Sequence, residues 1–168
     1  MNTESNAQSE EETAGLHPGM PAPDFELPDA DMRIARLDDF KGRQHMVLFF
    51  YIRDHTPACT AEAIEFSDLE ADFARLGCQV LGVSRDDCIS HGEFRDRQGI
   101  GVRLLADRDL IASRAYGVMR FKDVDGIMRE TAQRATFVID RHGIVRHALY
   151  GVNAKGHAAE VLELVKEL

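Results

Sequence analysis

The amino-acid sequence predicts an α/β domain, with a central mixed β-sheet and helices on both faces, and three observations carry that prediction. Two runs, Met46 to Tyr51 and Gln79 to Ser84, are almost wholly apolar over strand length, the pattern of strands buried on both sides. Segments with apolar residues at three- and four-residue spacing alternate with such runs along the chain. Towards the end, turn signals join strand-like runs as hairpins, which mixes antiparallel pairs into the sheet. At 168 residues the chain is long enough for one sizeable core.

Each element follows in order. Residues 1–16 are polar and acidic with nothing periodic to bury, and are expected to form a disordered tail ahead of a single domain over 17–168. The stretch His17 to Pro28 holds four of the five prolines and reads as extended and turn-rich. A short strand is expected from Arg33 to Arg36 and a buried one from Met46 to Tyr51. A helix then runs from Pro57 to about Leu76, with Phe66, Leu69, Phe73 and Leu76 on one face and Gly77 as the stop. The strand Gln79 to Ser84 leads to a helix from Cys88 to Gln98, a short strand from Leu104 to Ala106 and a short helix from Leu110 to Tyr116. Asp125-Gly126 signals a hairpin turn between Phe121 and Met128. The strands Thr136 to Ile139 and Ile144 to Tyr150 flank the turn Asp140 to Gly143. An amphipathic helix over Ala154 to Leu168 closes the chain, with Val161, Leu162, Val165 and Leu168 on one face.

Composition narrows the function classes. A formal net charge of −9 and a pI near 5.2 argue against a nucleic-acid surface. No apolar run reaches the ~18 residues that span a bilayer, and the N-terminus lacks a secretory pattern. Three cysteines, an odd number, suit a reducing compartment, so the expected location is cytoplasmic. The histidines and cysteines show no metal-ligand spacing, and there is no Cys-x-x-Cys.

In a sheet of this kind ligands gather beyond the carboxyl ends of the parallel strands. One such loop follows Tyr51 and carries Thr56 and Cys59; the other follows Ser84 and carries Asp86, Asp87 and Cys88. Thr56 reads as an N-cap and Pro57 as the first helical residue, which puts Cys59 in the first turn. Unsatisfied N–H groups and the positive end of the helix dipole favour its thiolate there. A shift of a thiol pKa from ~8.5 to ~6 raises the thiolate fraction at neutral pH only about 30-fold. A fast reaction therefore also needs donors aimed at the transition state. Cys78 reads as core packing, His55 as a solvated loop residue, and Asp38, Asp39, Asp86 and Asp87 as turn and capping residues.

Taken together, Gly19-Met20-Pro21-Ala22-Pro23-Asp24-Phe25, Phe49-Phe50-Tyr51 with Thr56-Pro57-Ala58-Cys59-Thr60, Gly82-Val83-Ser84-Arg85-Asp86 and Arg134-Ala135-Thr136-Phe137-Val138-Ile139-Asp140 form a recognisable set. The chain resembles the peroxiredoxins, and most of all the bacterioferritin comigratory, or PrxQ-like, branch. That resemblance implies a thioredoxin-like fold and a thiol-dependent peroxidase acting on hydrogen peroxide or small organic hydroperoxides. It implies Cys59 as the nucleophile that becomes a sulfenic acid, with Thr56 and Arg134 holding thiolate and peroxide in line. No bound cofactor is implied, because sulfur performs the redox step. The chain departs from the family pattern where Ile52 replaces the motif proline, and where Ile64 and Arg95 occupy the two usual positions of a second cysteine. The candidate resolving thiol is then Cys88, the alternative being an external thiol such as thioredoxin or a small thiol donor. A monomer and a homodimer both fit. A second reading, a non-enzymatic redox sensor or partner-binding protein on the same fold, stays open beside the enzyme.

Overall fold

The computed structural model describes residues 15–168, so residues 1–14 of the expected tail lie outside the described residues. Its last residue, Leu16, is instead part of the domain: the side chain is buried and the N–H donates to the Tyr150 hydroxyl at 2.8 Å. Two short strands, β1 (Glu26–Pro28) and β2 (Ile34–Arg36), form a small antiparallel pair. Then follow β3 (His45–Phe50), α1 (Pro57–Asp68), α2 (Glu70–Arg75), β4 (Cys78–Ser84), α3 (Cys88–Gln98), β5 (Arg103–Ala106) and α4 (Ile111–Ala115). The chain ends with β6 (Met119–Val124), β7 (Ile127–Ala132), β8 (Ala135–Ile139), β9 (Val145–Tyr150) and α5 (His157–Lys166).

The central sheet has five strands in the order β5-β4-β3-β8-β9. β3 pairs parallel with β4 and β4 with β5, whereas β8 joins β3 and β9 antiparallel, which makes the sheet mixed as expected. β3 is buried at every position, so its side chains alternate between two apolar layers. Met46, Leu48 and Phe50 join the layer that holds Ala112 of α4, Tyr116 and the N-terminal residues Phe25 and Leu27. Val47, Phe49 and Tyr51 join the layer of Ala63 and Phe66 from α1, Phe73 from α2, Phe94 from α3 and Val161 and Val165 from α5. Helices thus cover both faces.

Two expected elements are corrected. The single helix over Pro57 to Leu76 is split at Leu69, whose backbone (φ −98°, ψ 2°) leaves the helical path. Ser67 explains the break. Its hydroxyl donates back to the Ala63 carbonyl at 2.7 Å and accepts from the Gly101 N–H at 3.0 Å, a side-chain bond that bends helices and here also ties in the loop before β5. The final helix begins at His157, because Gly156 ahead of it adopts φ 75°, outside the right-handed helical region. The hairpin at Asp125-Gly126 is present, with both turn residues at positive φ, and among the described residues its strands β6 and β7 form a separate two-stranded ribbon.

The placement of α1 on the sheet depends on one small residue. Phe49 stacks on Phe66 with ring centroids 4.5 Å apart, and the edge of the Phe49 ring lies over Gly82 in β4. A Cβ at position 82 would stand 2.7 Å from the Phe49 ring and 3.0 Å from Leu104. Gly82→Ala is expected to lower stability by about 1–3 kcal/mol through overpacking, measured by urea denaturation. An unchanged denaturation midpoint would show that this contact gives way without cost.

Candidate active site

The end of β3 delivers the chain into the loop before α1, and the loop's last residue, Thr56, is extended (φ −79°, ψ 148°) while Pro57 opens the helix. Cys59 follows in the first turn, 2% exposed, in the apolar layer with Tyr51, Ala63 and Phe66. Arg134, between β7 and β8, reaches it from the strand next to β3: Nη2 lies 3.4 Å from Cys59 Sγ, and Nη1 donates to Glu62 Oε1 at 3.0 Å. The Arg134 carbonyl accepts from the Gly151 N–H at 2.9 Å, so the backbone that carries the guanidinium is fixed to the end of β9.

Burial by itself pushes the Cys59 thiol up, yet its pKa ends below the ordinary value. The Thr56 hydroxyl, the Arg53 main-chain N–H, the Arg134 guanidinium and the Ile52 N–H together outweigh the loss of water. The Thr56 side chain does not cap the helix, and its hydroxyl donates to the Arg53 carbonyl at 3.0 Å. That hydroxyl carries a single proton. Its help to sulfur therefore comes when it rotates from the carbonyl to the thiolate.

Glu62 is the site residue that the sequence reading missed. It is fully buried one helical turn after Cys59, and among the described residues its Oε2 has no hydrogen-bond partner. Burial raises its pKa to about 7 despite the attraction of Arg134. A signal was present: a glutamate in the row Cys59, Glu62, Ala63, Phe66, on the face that otherwise packs on the sheet.

A second polar group lies beneath the Cys59 loop. Asp54, 3% exposed, accepts from the Tyr51 hydroxyl at 2.6 Å and the Ser90 hydroxyl at 2.8 Å, and its Oδ2 lies 2.8 Å from His91 Nδ1. Asp86 accepts from the Asp54 N–H at 2.9 Å and from the Ser84 hydroxyl at 2.6 Å. Ligand atoms of Asp54, Asp86 and His91 lie within 4.8 Å of one another, a metal-like spacing. Each of the three residues is engaged in hydrogen bonds within the protein. Asp87 caps α3 by accepting from the Ser90 N–H at 2.8 Å, the capping role expected of it.

Cys88 opens α3, is half-buried, and has its thiol pushed up by burial and by the charges of Asp29 and Asp87. Cys78 is buried, with its pKa raised to about 12. All three thiols are free. The His55 ring packs edge-on against Phe94, with centroids 5.2 Å apart, and makes no hydrogen bond to Cys59. Ile52 is 45% exposed and lines a shallow pocket beside the loop with Arg85 and Gln133.

A mixed sheet with a buried cysteine at a helix start, held by an arginine from the start of the neighbouring strand, defines a thioredoxin-like thiol enzyme. Residues 18–148 match the AhpC/TSA family, and the chain belongs to that family. It is 37% identical over 144 residues to a putative peroxiredoxin bcp of Coxiella burnetii, covering 86% of this chain and 95% of that protein. It is 35% identical over 150 residues to peroxiredoxin Bcp of Bacillus subtilis, covering 89% and 95%. Among solved structures, Xanthomonas campestris peroxiredoxin Q superposes with a TM-score of 0.83 at 34% identity, covering 85% of this chain and 90% of that one. A structure of the bacterioferritin comigratory protein of the same organism, from work on alkyl peroxide reduction with a trapped intermediate and ligand, gives 0.83 at 33% identity over the same shares.

The raised pKa of Glu62 has a definite consequence for stability. Its folded value, about 7, lies above the ordinary 4.5, so the fold prefers the protonated carboxyl. The stability it contributes is complete below pH 4.5 and is lost as pH rises through about 7. Glu62→Gln, which cannot ionise, is expected to remove that decline. Denaturation midpoints of both proteins across this range provide the check, and parallel pH curves would contradict it.

Proposed function

We propose that this protein, a peroxiredoxin by family, reduces hydroperoxides through Cys59, and the observation that carries the reading is the Arg134 guanidinium set 3.4 Å from a buried sulfur at a helix start. The Cys59 thiolate attacks one peroxide oxygen and the O–O bond breaks. Sulfur becomes a sulfenic acid, and the other oxygen leaves with the bonding pair and takes up a proton to give water or an alcohol. Arg134 neutralises the thiolate before attack, and its guanidinium and the Thr56 hydroxyl are donors for the charge that spreads onto oxygen during it. Glu62 holds the guanidinium in place through its 3.0 Å bond. The apolar wall of Tyr51, Ala63 and Phe66 keeps bulk water from the sulfur.

Recycling requires two thiols. The first attacks the sulfenic sulfur, forming a disulfide and releasing water; the second reduces that disulfide and restores the Cys59 thiol. An external thiol in the first role suits the features of Cys88, whose raised pKa leaves little thiolate for attack. A protein dithiol of the thioredoxin type or a small thiol donor serves as the reductant, in a cytoplasmic setting where free thiols persist.

Stopped-flow mixing of reduced protein with hydrogen peroxide tests the enzyme against the slow redox sensor. Cys59→Ser is expected to abolish the fast reaction, and Arg134→Met to slow it by about 10²-fold or more. A wild-type rate constant no greater than that of free cysteine would remove the enzyme reading. Cys88→Ser is expected to keep dithiothreitol-supported turnover within about twofold of wild type. Mass spectrometry after one equivalent of peroxide is expected to show a Cys59 sulfenic acid, and a Cys59–Cys88 disulfide would make Cys88 the resolver instead.

A further inference from the structure

The Asp29 carboxylate organises a corner of the molecule that the peroxidase chemistry does not use. Its side chain is buried at the turn between β1 and β2, where Met32 takes φ 64° as the chain reverses. Oδ1 accepts from the Asp31 and Arg33 N–H groups, both at 2.9 Å, and Oδ2 accepts from Arg103 Nε at 2.7 Å. A backbone bridge between Asp29 and Leu105 seals the turn against β5, the edge strand of the central sheet. One carboxylate thus fixes both the backbone that carries Arg33 and the guanidinium of Arg103.

Helix α3 supplies the facing wall. Arg95 Nη1 donates to Asp31 Oδ1 at 3.0 Å, and its Nε donates to Asp96 Oδ1 at 3.1 Å. Between these elements lies a cleft of about 400 Å³, lined by Arg33, Arg95 and Arg103 together with the buried Val102 and Leu104. That volume falls within the range of small-molecule sites. Donors and acceptors in the cleft are unevenly spent, because a guanidinium carries five N–H donors and few of these are taken. Among the described residues Arg103 uses only Nε, Arg95 keeps Nη2 unpaired, and no bond engages the Arg33 guanidinium, whereas both oxygens of Asp29 are occupied. An exposed arginine by itself is a solvated charge. Here two of the three are anchored by carboxylates with terminal nitrogens left over, the arrangement that suits an oxyanion.

We propose that the cleft between the β1–β2 turn, α3 and β5 binds a small organic anion, with a phosphate or carboxylate head against Arg33 and Arg103 and a carbon body along Val102 and Leu104. Glu70, whose carboxylate lies beside Gly101 at the rim, disfavours negative charge at that end and so places the head towards the turn. None of these charged residues takes part in the Cys59 site. Occupancy of the cleft is therefore read without any turnover of peroxide.

The test follows backbone amides of the full-length protein by NMR during titration with inorganic phosphate, glycerol 2-phosphate and succinate, with ionic strength held constant by sodium chloride. At least one organic probe is expected to saturate with a dissociation constant of about 1 mM or tighter, shifting the amides of Asp31 to Arg33 and Gly101 to Arg103. Tighter binding of glycerol 2-phosphate assigns the cleft to phosphate esters, and tighter binding of succinate assigns it to carboxylates. Arg33→Gln removes donors that hold nothing else in place and is expected to weaken binding about tenfold, the share of one charge-assisted hydrogen bond. Arg103→Gln, which keeps a donor for Asp29, should weaken it in the same direction. Arg129→Gln alters an exposed charge on the β6–β7 ribbon, outside the cleft, and is expected to leave the constant within about twofold. Shifts that fail to saturate by about 10 mM with every probe overturn the site, as does an equal loss in Arg33→Gln and Arg129→Gln. Binding of inorganic phosphate with neither organic probe overturns the place given to a carbon body.

Discussion

A negative charge carried on sulfur inside an apolar layer is the constraint on which the rest of this structure depends. Burial opposes the Cys59 thiolate, and the fold answers with donors drawn from two separate stretches of chain: the loop after β3 and the link before β8. The sheet makes this convergence possible. β3 delivers the cysteine loop and its antiparallel neighbour β8 begins with the arginine link, so Phe50 pairs with Ala135 and the two chemistries meet at one sheet edge. The close packing of Phe49, Phe66 and Gly82 then fixes the height of α1 above the sheet. That height sets the distance from sulfur to guanidinium.

Most of the fold was legible because its signals are local. The apolar runs of β3 and β4 mark strands buried on both faces, Asp125-Gly126 marks a two-residue turn, and Thr56-Pro57 marks a helix start; all three are written in neighbouring residues. The break in the first long helix was not legible. It depends on Ser67 meeting the Gly101 amide, a contact 34 residues away in sequence. Leu16 was hidden for a similar reason, since its place depends on Tyr150, far along the chain.

The site divides in the same way. Cys59 stands out through its position at a helix start, whereas Arg134 is an ordinary strand-flanking arginine until the family comparison or the folded sheet brings it to the sulfur. Glu62 and the Asp54–His91 group escape both routes. A glutamate in a helix and an aspartate in a loop read as solvated charges unless the faces they occupy are known, and their burial follows from how α1 and α3 lie on the sheet.

Glu62 gives the site a second ionisable group that shares one cation with the first. While sulfur is a thiolate, Arg134 divides its attraction between two anions; once sulfur is a neutral sulfenic acid, the whole of it falls on the carboxylate. Loss of the thiolate charge therefore favours ionisation of Glu62, and its return favours the neutral acid. The carboxyl and the sulfur thus compete for one cation, and that competition opposes a change of net charge in the apolar layer around Cys59.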